Sequence, residues 1–259
     1  MAARSMLAVA WGGAALFAGS LLYFGYFYVV QLGRPTSIRG EPVGRAIAIN
    51  VLLFSGFALH HSVFARLGAK DWLARRLPRG LDRSLYVWLA SLLFLAVCVM
   101  WQPLPGVAWQ ATGLGRWLLH GVQVAGLGLT LRSAARIDIW ELAGVRQARA
   151  ASSTPSPVAR SAPAATSAAP ALAASAPAAS ALEIDGPYRW LRHPIYLGWV
   201  LLVFGAPTMT SGRLLFAVIS TVYLIVAIPF EERSLTSEFG HAYTAYQRHV
   251  RWRLFPGVW

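Results

Sequence analysis

The chain has 259 residues and a net charge of +13, with 56% hydrophobic and 13% charged residues, whereas a soluble domain carries about 25% charged residues. This composition excludes a soluble enzyme, and the single cysteine, Cys98, excludes a disulfide scaffold. The positive charge does not indicate a nucleic-acid partner, because the arginines lie between apolar runs, where basic residues set topology and contact anionic lipid headgroups.

We therefore predict an all-α integral membrane protein, a polytopic helix bundle in the lipid bilayer. Six apolar stretches approach the length of about 20 residues that a spanning helix needs. They run from about Met6 to Val30, Val43 to Ala65, Ser84 to Leu104, Thr112 to Leu131, Pro194 to Met209 and Arg213 to Phe230. The fourth contains five glycines, as expected where helices approach closely. We predict six spans, with five as the alternative, and a C-terminal helical hairpin with its turn at 210–212.

The basic residues between these spans predict their orientation. Segment 66–83 carries six basic residues against two acidic ones, whereas segment 102–111 carries none. By the positive-inside rule, both termini and the long connection after the fourth span face the cytoplasm. We expect the bacterial inner membrane, with the active site on its cytoplasmic side.

The connection after the fourth span has the composition of a disordered linker. Residues 148–182 include 16 Ala, 7 Ser and 5 Pro, so prolines break any helix and no apolar periodicity is left to bury. We therefore predict three parts: an N-terminal four-helix part (1–147), a cytoplasmic linker (148–182) and a C-terminal hairpin with its tail (183–259).

Polar residues crowd the start of the fifth span. Pro194 disfavours helix at the preceding residue and suits a first helical turn. His193 is therefore expected at a helix N-terminus, where unpaired amides and the helix dipole hold anions. Arg192 would add further donors, and Gly198 would leave space for a flat ligand against the helix. An interfacial anchor in the headgroup layer is the alternative interpretation.

A second polar cluster follows the last span. Glu231 and Glu232 are expected at the end of a helix, where they repel each other and face the negative end of the helix dipole. Ionisable groups at such a depth indicate function. If the last two spans form a hairpin, these acids return to the same face as Arg192 and His193. We therefore predict one cytoplasmic site that combines acid, arginine, imidazole and tyrosine side chains.

This pattern resembles the membrane methyltransferases, which include the isoprenylcysteine carboxyl methyltransferases and the phospholipid N-methyltransferases. The matching features between Gly186 and Pro256 are Arg-His-Pro-x-Tyr-x-Gly, Glu-Glu-x-x-Leu, Phe-Gly and Tyr-x-x-Tyr. The resemblance implies S-adenosylmethionine as cofactor, bound at the cytoplasmic end of the hairpin under a lid formed by the tail. It assigns to this pocket Tyr188, Arg192, His193, Tyr196, Leu197, Gly198, Glu231, Tyr243 and Tyr246. Glu231 and Glu232 would close the pocket.

The first half of the chain is similar to one branch of this superfamily, the methanethiol S-methyltransferases. The matching segments include 59–66, 82–86, 101–103 and 138–147, with 207–210 in the hairpin turn. A related branch, associated with nitrite and nitric oxide reduction, shares the features of the first half.

His60 and His61 lie near the cytoplasmic end of the second span. A neutral imidazole can accept a thiol proton, because its unperturbed pKa of roughly 6.5 lies nearest neutrality. A nearby arginine would stabilise the thiolate, whereas a hydrogen-bonded core histidine is the ordinary alternative. Adjacent helical residues project about 100° apart and cannot both bind one iron, so no metal site is predicted. We assign catalytic roles to His61, Arg66, Arg83 and Glu232.

The predicted activity is an S-adenosylmethionine-dependent S-methyltransferase that converts methanethiol, a small thiol, to dimethyl sulfide. The thiolate would attack the methyl carbon in line, with positioning and desolvation as the main contributions of the protein. Two alternatives stay open. One is methyl transfer to an isoprenylated cysteine carboxylate or a phospholipid amine, and the other is a non-enzymatic accessory protein of nitrite or nitric oxide metabolism.

Overall fold

A computed structural model of the protein describes residues 3–37, 42–64, 82–137 and 182–259. The described elements, in chain order, are α1 (Ala3–Tyr26), α2 (Val43–Phe64), α3 (Asp82–Met100), β1 (Val107–Gln110), α4 (Gly113–Ala134), α5 (Pro194–Phe204), β2 (Thr208–Thr210), α6 (Ser211–Phe239) and α7 (His241–His249). A π-helical turn, Phe27–Gln31, extends α1, and a 3-10 turn, Gly186–Arg189, precedes α5. Arg66 and the predicted linker, apart from Leu182, lie outside the described residues.

Four of the described helices are long and apolar enough to cross a membrane, which makes the chain an integral membrane protein. Their apolar segments are Ser5–Gln31, Val43–Val63, Arg83–Met100 and Ser211–Phe239. Helix α4 forms at the position of the predicted fourth span but is not one of these four. Helix α5 was expected to continue to Met209, yet it has 11 residues, which cover about 16 Å of a hydrocarbon core about 30 Å thick. The number of spans, five or six, stays a prediction.

Aromatic rings fill the core where α1, α2, α3 and α6 meet. The fully buried Phe216 of α6 lies 5.5 Å from the ring of Phe24, 6.0 Å from that of Phe27 and 5.7 Å from that of Phe54. Phe24 in turn packs on Phe94 of α3 at 5.4 Å. Such tilted and edge-on pairs add to the stabilisation from burial alone. Helix α6 is therefore packed against the other long helices before it reaches Glu231 and Glu232.

A buried arginine holds the first turn of α6 at the opposite end from these acids. The Arg213 guanidinium donates to the carbonyls of Tyr28 at 3.0 Å, Val29 at 2.9 Å and Thr208 at 2.6 Å. It also lies 5.2 Å over the Tyr28 ring. The π-helical turn of α1 and strand β2 therefore converge on one side chain, which fixes the far end of α6.

The two strands at this end were not predicted. β1 pairs with β2 in antiparallel register, with Val107 opposite Thr210 and Gln110 opposite Thr208. The turn expected at 210–212 is instead the end of β2 followed directly by α6, with the Thr210 hydroxyl accepting the Arg213 N–H at 3.2 Å. This pairing closes the connection between α5 and α6 against the loop after α3.

Helices α4 and α5 approach closely through two glycines. A Cβ atom at Gly126 would lie 2.6 Å from the Gly198 carbonyl oxygen, and one at Gly198 would lie 2.7 Å from the Gly126 carbonyl oxygen. The space expected for a ligand at Gly198 is therefore filled by α4. Close packing, as predicted for the glycines of α4, is confirmed at Gly126, whereas no atom of the described residues lies within 4 Å of a Cβ placed at Gly121.

We predict that Gly126→Val destabilises the protein by about 1–3 kcal/mol, the usual effect of overpacking. The added methyl groups would force α4 away from α5. Gly121→Val is the matched control, because it makes the same change on the same helix where no described residue lies within 4 Å. Thermal unfolding of the detergent-solubilised variants measures the effect, and equal midpoints would contradict the close approach.

Candidate active site

Helix α6 carries Glu231 and Glu232 well inside its length. The sequence predicted that the helix ends at Phe230, but it continues to Phe239 even though Pro229 lies within it. The expectation that both acids face the negative end of the helix dipole is therefore wrong, since that effect is confined to the last turn. Adjacent helical residues project about 100° apart, so the two carboxylates point to different partners.

Glu232 lies at the centre of the polar cluster and is only 5% exposed. Its Oε1 atom forms an ion pair with Arg192 Nε at 2.7 Å and lies 3.4 Å from His193 Nε2. Its Oε2 atom accepts from Arg253 Nε at 3.1 Å. A buried carboxylate is unfavourable unless it is paired and hydrogen-bonded. Two guanidinium groups and an imidazole fulfil that condition here.

The start of α5 is bound to the C-terminal tail by its backbone as well. The N–H groups of Arg192 and His193 donate to the carbonyls of Trp252 at 2.9 Å and Arg253 at 3.0 Å. The Arg192 guanidinium also donates to the Val250 carbonyl at 3.1 Å. These bonds hold Arg253 beside Glu232, so the tail forms one wall of the site.

Glu231 has a more open position. Its side chain is 41% exposed, and its Oε2 atom accepts from the Tyr196 hydroxyl at 2.6 Å and lies 3.6 Å from His193 Nδ1. The His193 ring stacks on Tyr196 with 5.3 Å between centroids. His193 occupies the N-cap of α5, as predicted, and its imidazole lies between Glu231 and Glu232. One carboxylate is thus enclosed and the other faces open space.

Two tyrosines of α7 have different surroundings. The Tyr246 hydroxyl donates to the Tyr188 carbonyl at 2.7 Å. Tyr243 is 1% exposed, and its hydroxyl has no hydrogen-bond partner in the described part of the chain, although Glu232 and Arg192 lie within electrostatic range. Burial raises the pKa of both phenols, and burial with nearby carboxylates raises the pKa of Tyr188 to about 12. All three phenols are therefore neutral hydrogen-bond donors.

The histidine pair belongs to a neighbouring cluster where α2, α3 and α6 meet. His61 Nδ1 lies 2.7 Å from the Tyr86 hydroxyl, and the Arg83 guanidinium lies 5.4 Å over the Tyr86 ring. One residue further along α2, the Ser62 hydroxyl lies 3.1 Å from the Tyr223 hydroxyl. His61 and Arg83 therefore lie against the same side chain, Tyr86.

Three residues of these clusters were not predicted from the sequence. Tyr86 lies in segment 82–86, one of the segments that match the methanethiol S-methyltransferases, and this match is the feature that could have identified it. Tyr223 precedes Glu231 by two helical turns and therefore shares its face of α6. Arg253 lies in a basic tail, where nothing in the sequence distinguishes the arginine that pairs with a buried acid.

The chain is similar to a group of curated methyltransferases. The sequence pattern of the phospholipid methyltransferase family matches residues 174–242. Methanethiol S-methyltransferase 2 of Bradyrhizobium diazoefficiens is 38% identical over 85% of this chain and 76% of its own length. The methanethiol S-methyltransferase of Mycobacterium tuberculosis is 35% identical over 92% of both chains. The chain belongs to the methanethiol S-methyltransferase family.

Membership in this family confirms the resemblance predicted from the motifs and makes the protein a membrane methyltransferase. The family member from Pseudomonas deceptionensis extends the similarity, at 33% identity over 86% of this chain and 79% of its own length. No solved structure matches the chain. Such an enzyme requires a methyl donor, and the phospholipid methyltransferase pattern covers the stretch from the 3-10 turn to Glu232.

We predict that Arg192→Leu destabilises the protein by about 3–5 kcal/mol, because Glu232 would stay buried with one guanidinium fewer. Arg251→Leu is the control, since Arg251 lies exposed on the same tail. Thermal unfolding in detergent gives the stability, and limited proteolysis shows whether the tail is released. Equal unfolding midpoints in the two variants would contradict a structural role for the Arg192–Glu232 pair.

Proposed function

We propose that the protein transfers a methyl group from S-adenosylmethionine to the sulfur of methanethiol and so produces dimethyl sulfide. The observation that carries this proposal is the similarity to named methanethiol S-methyltransferases over as much as 92% of the chain. If only a short motif were shared, it would support methyl transfer but not a particular methyl acceptor. Because the similarity extends along both halves of the chain, it also supports methanethiol as the acceptor.

The residues around Glu231 and Tyr243 fit S-adenosylmethionine. Its amino acid part carries an ammonium and a carboxylate, and its adenosine part carries several hydrogen-bonding atoms. Glu231 is a half-exposed carboxylate suited to the ammonium, and the buried Tyr243 hydroxyl lacks a partner among the described residues. When bound, S-adenosylmethionine supplies a methyl group activated by a positively charged sulfur. The pocket that we propose comprises Tyr188, Arg192, His193, Tyr196, Leu197, Glu231, Tyr243 and Tyr246.

Three of the predicted residues have altered roles in this proposal. Gly198 serves the packing of α5 on α4, because α4 fills the space beside it. Glu232, surrounded by Arg192, His193 and Arg253, acts as a positioning residue that fixes the pocket wall. Leu197 contributes apolar surface only.

The thiol site that we propose lies at the His61 cluster. His61 would accept the thiol proton, while Arg83, with Arg66, would stabilise the thiolate electrostatically. The Phe57 ring stacks on His61 at 5.8 Å and supplies an apolar wall for a small methyl group. Methanethiol is apolar and would reach this site from the bilayer.

The orientation that we propose follows from the basic residues. Both termini, the linker 148–182 and the site face the cytoplasm of a bacterium across its inner membrane. The hairpin formed by α5 and α6 would hold the cofactor at its cytoplasmic end, and residues 1–147 and 183–259 would form the two membrane parts. S-Adenosylmethionine, a charged metabolite, would thus enter from the aqueous side.

We predict that bacteria expressing the protein and fed methanethiol release dimethyl sulfide, measured by gas chromatography of the headspace. Glu232→Gln and His193→Ala should each lower turnover by at least 100-fold, about 2.7 kcal/mol, without loss of membrane insertion. The pocket wall would be disordered in the first variant, and the N-cap imidazole would be lost in the second. Membranes that contain the wild-type protein but yield no dimethyl sulfide would refute the proposed acceptor, and failure to bind labelled S-adenosylmethionine would refute methyl transfer as a whole.

We predict that Tyr243→Phe weakens the binding of S-adenosylmethionine about 3- to 10-fold, the effect of one hydrogen bond, without lowering stability. Tyr246→Phe should instead lower stability and leave the affinity for S-adenosylmethionine unchanged. Its hydroxyl already donates to the Tyr188 carbonyl, and removing it leaves that carbonyl unpaired. Isothermal titration calorimetry and thermal unfolding of both variants in detergent separate the two effects. Unchanged affinity in Tyr243→Phe would exclude this hydroxyl from the cofactor pocket.

A further inference from the structure

A cavity of about 730 Å³ lies between α7 and the segment around the 3-10 turn. Tyr246 is the one residue that it shares with the pocket proposed for the cofactor, among the residues that the structure describes. Most of its lining is apolar, from Leu182, Ile184, Trp190, Ala242, Ala245 and Val250. Trp190 is 77% exposed and Ile184 is 47% exposed. The cavity therefore opens to the surface through uncovered apolar side chains, which mark a site of contact with a lipid or another partner.

The cavity lies at the height where the chain enters the bilayer. Arg192 and His193, at the start of α5, contact Glu232, which lies two residues beyond the apolar run of the long helix α6. Their N–H groups donate to the carbonyls of residues 252 and 253, so the chain that follows α7 returns to the same height. Trp190 lies two residues before Arg192, and tryptophan is enriched at the boundary between hydrocarbon and headgroups. The cavity therefore borders the layer of lipid headgroups.

The charged side chains of the cavity are mainly basic. Arg189 lines it from the 3-10 turn and His249 from the last turn of α7, together with one acid, Asp185. Arg248 and Arg251 lie exposed next to this part of α7, so exposed arginines outnumber the acid of the lining. A guanidinium binds a phosphate through parallel N–H donors, and an imidazole can add another donor. These side chains complement a phosphate that carries a net negative charge.

We propose that an anionic phospholipid of the surrounding bilayer binds in this cavity. Its phosphate lies between Arg189 and His249, and one acyl chain lies along Trp190 and Ile184. A free phosphate would leave the apolar lining uncovered, and an uncharged lipid would make no use of the basic side chains. An anionic phospholipid satisfies both parts of the lining with one molecule.

The bound lipid would connect two parts of the chain that form the wall of the site. Arg189 belongs to the segment before α5, whereas His249 belongs to α7. Within the protein, the Tyr246 hydroxyl already joins these two parts by donating to the Tyr188 carbonyl at 2.7 Å. A ligand that binds the folded protein alone raises its stability, so the lipid should stabilise the tail. This inference does not rest on the proposed methyl acceptor.

The test measures thermal unfolding of the protein in a non-ionic detergent while dioctanoyl phosphatidylglycerol, an anionic phospholipid, is added. We expect the unfolding midpoint to rise with the lipid concentration. Dioctanoyl phosphatidylcholine should have a smaller effect, and inorganic phosphate should have none. Native mass spectrometry of the same samples should detect one tightly bound phosphatidylglycerol. Neither S-adenosylmethionine nor methanethiol is present, so the outcome is independent of the proposed function.

Two variants test the two parts of the lining separately. Arg189→Gln should weaken the binding of phosphatidylglycerol about tenfold or more, the effect of losing a charged hydrogen bond. Arg233→Gln is its control, because Arg233 is exposed on α6 and lies over the Phe230 ring at 5.4 Å, outside the lining. Ala245→Trp should block the acyl chain by filling the cavity. Ser237→Trp, at an exposed position of α6, is the control for the added indole.

Three results would each overturn the proposal. Equal affinity for phosphatidylglycerol in Arg189→Gln and Arg233→Gln would exclude the phosphate contact, and equal affinity in Ala245→Trp and Ser237→Trp would exclude the acyl chain from the cavity. Stabilisation of the wild type by inorganic phosphate or phosphatidylcholine to the same extent as by phosphatidylglycerol would show a general anion site or unspecific lipid contact instead.

Discussion

The enclosed carboxylate of Glu232 is the constraint on which the architecture of the site depends. Removing a carboxylate from water has an effective penalty of several kcal/mol, which only well-placed cations and hydrogen bonds offset. Glu232 obtains them from the start of α5, through Arg192 and His193, and from the C-terminal tail, through Arg253. The tail and α5 must therefore be in place before this residue is stable. The buried carboxylate therefore couples the position of the tail to that of α5.

The contrast between Glu231 and Glu232 shows how neighbouring residues of one type acquire separate roles. A rotation of about 100° between successive helical positions directs Glu232 into the guanidinium groups and Glu231 towards Tyr196 and open space. The carboxylate oxygens of Glu232 are already occupied by side chains of the protein itself. Glu231 remains partly exposed although its Oε2 atom accepts from Tyr196. The function that we propose therefore assigns ligand binding to Glu231 and a positioning role to Glu232.

Local patterns predicted the convergence of the polar side chains better than they predicted the ends of helices. Pro194 fixed the N-cap at His193, and the convergence of Arg192, His193, Tyr196, Glu231 and Glu232 followed from the order of the motifs along the chain. The end of α6 was missed because the apolar run stops at Phe230, whereas the helix continues through Glu231 and Glu232 to Phe239, with Pro229 tolerated inside it. The pairing of β1 with β2 joins segments about a hundred residues apart, and Arg253 was one of several tail arginines. Such long-range partners leave no local pattern to detect.

Contacts between the two halves of the chain join helices that a long Ala/Ser/Pro-rich segment separates in the sequence. Helix α4 precedes the Ala/Ser/Pro-rich segment and α5 follows it, yet Gly126 and Gly198 bring their backbones together. Arg136, just after α4, also lies against Gly186, where a Cβ atom would be 3.1 Å from the arginine Nε. The residues on the two sides of segment 138–181 are thus held near each other by packing. Helix packing therefore sets the separation between the His61 cluster and Glu231.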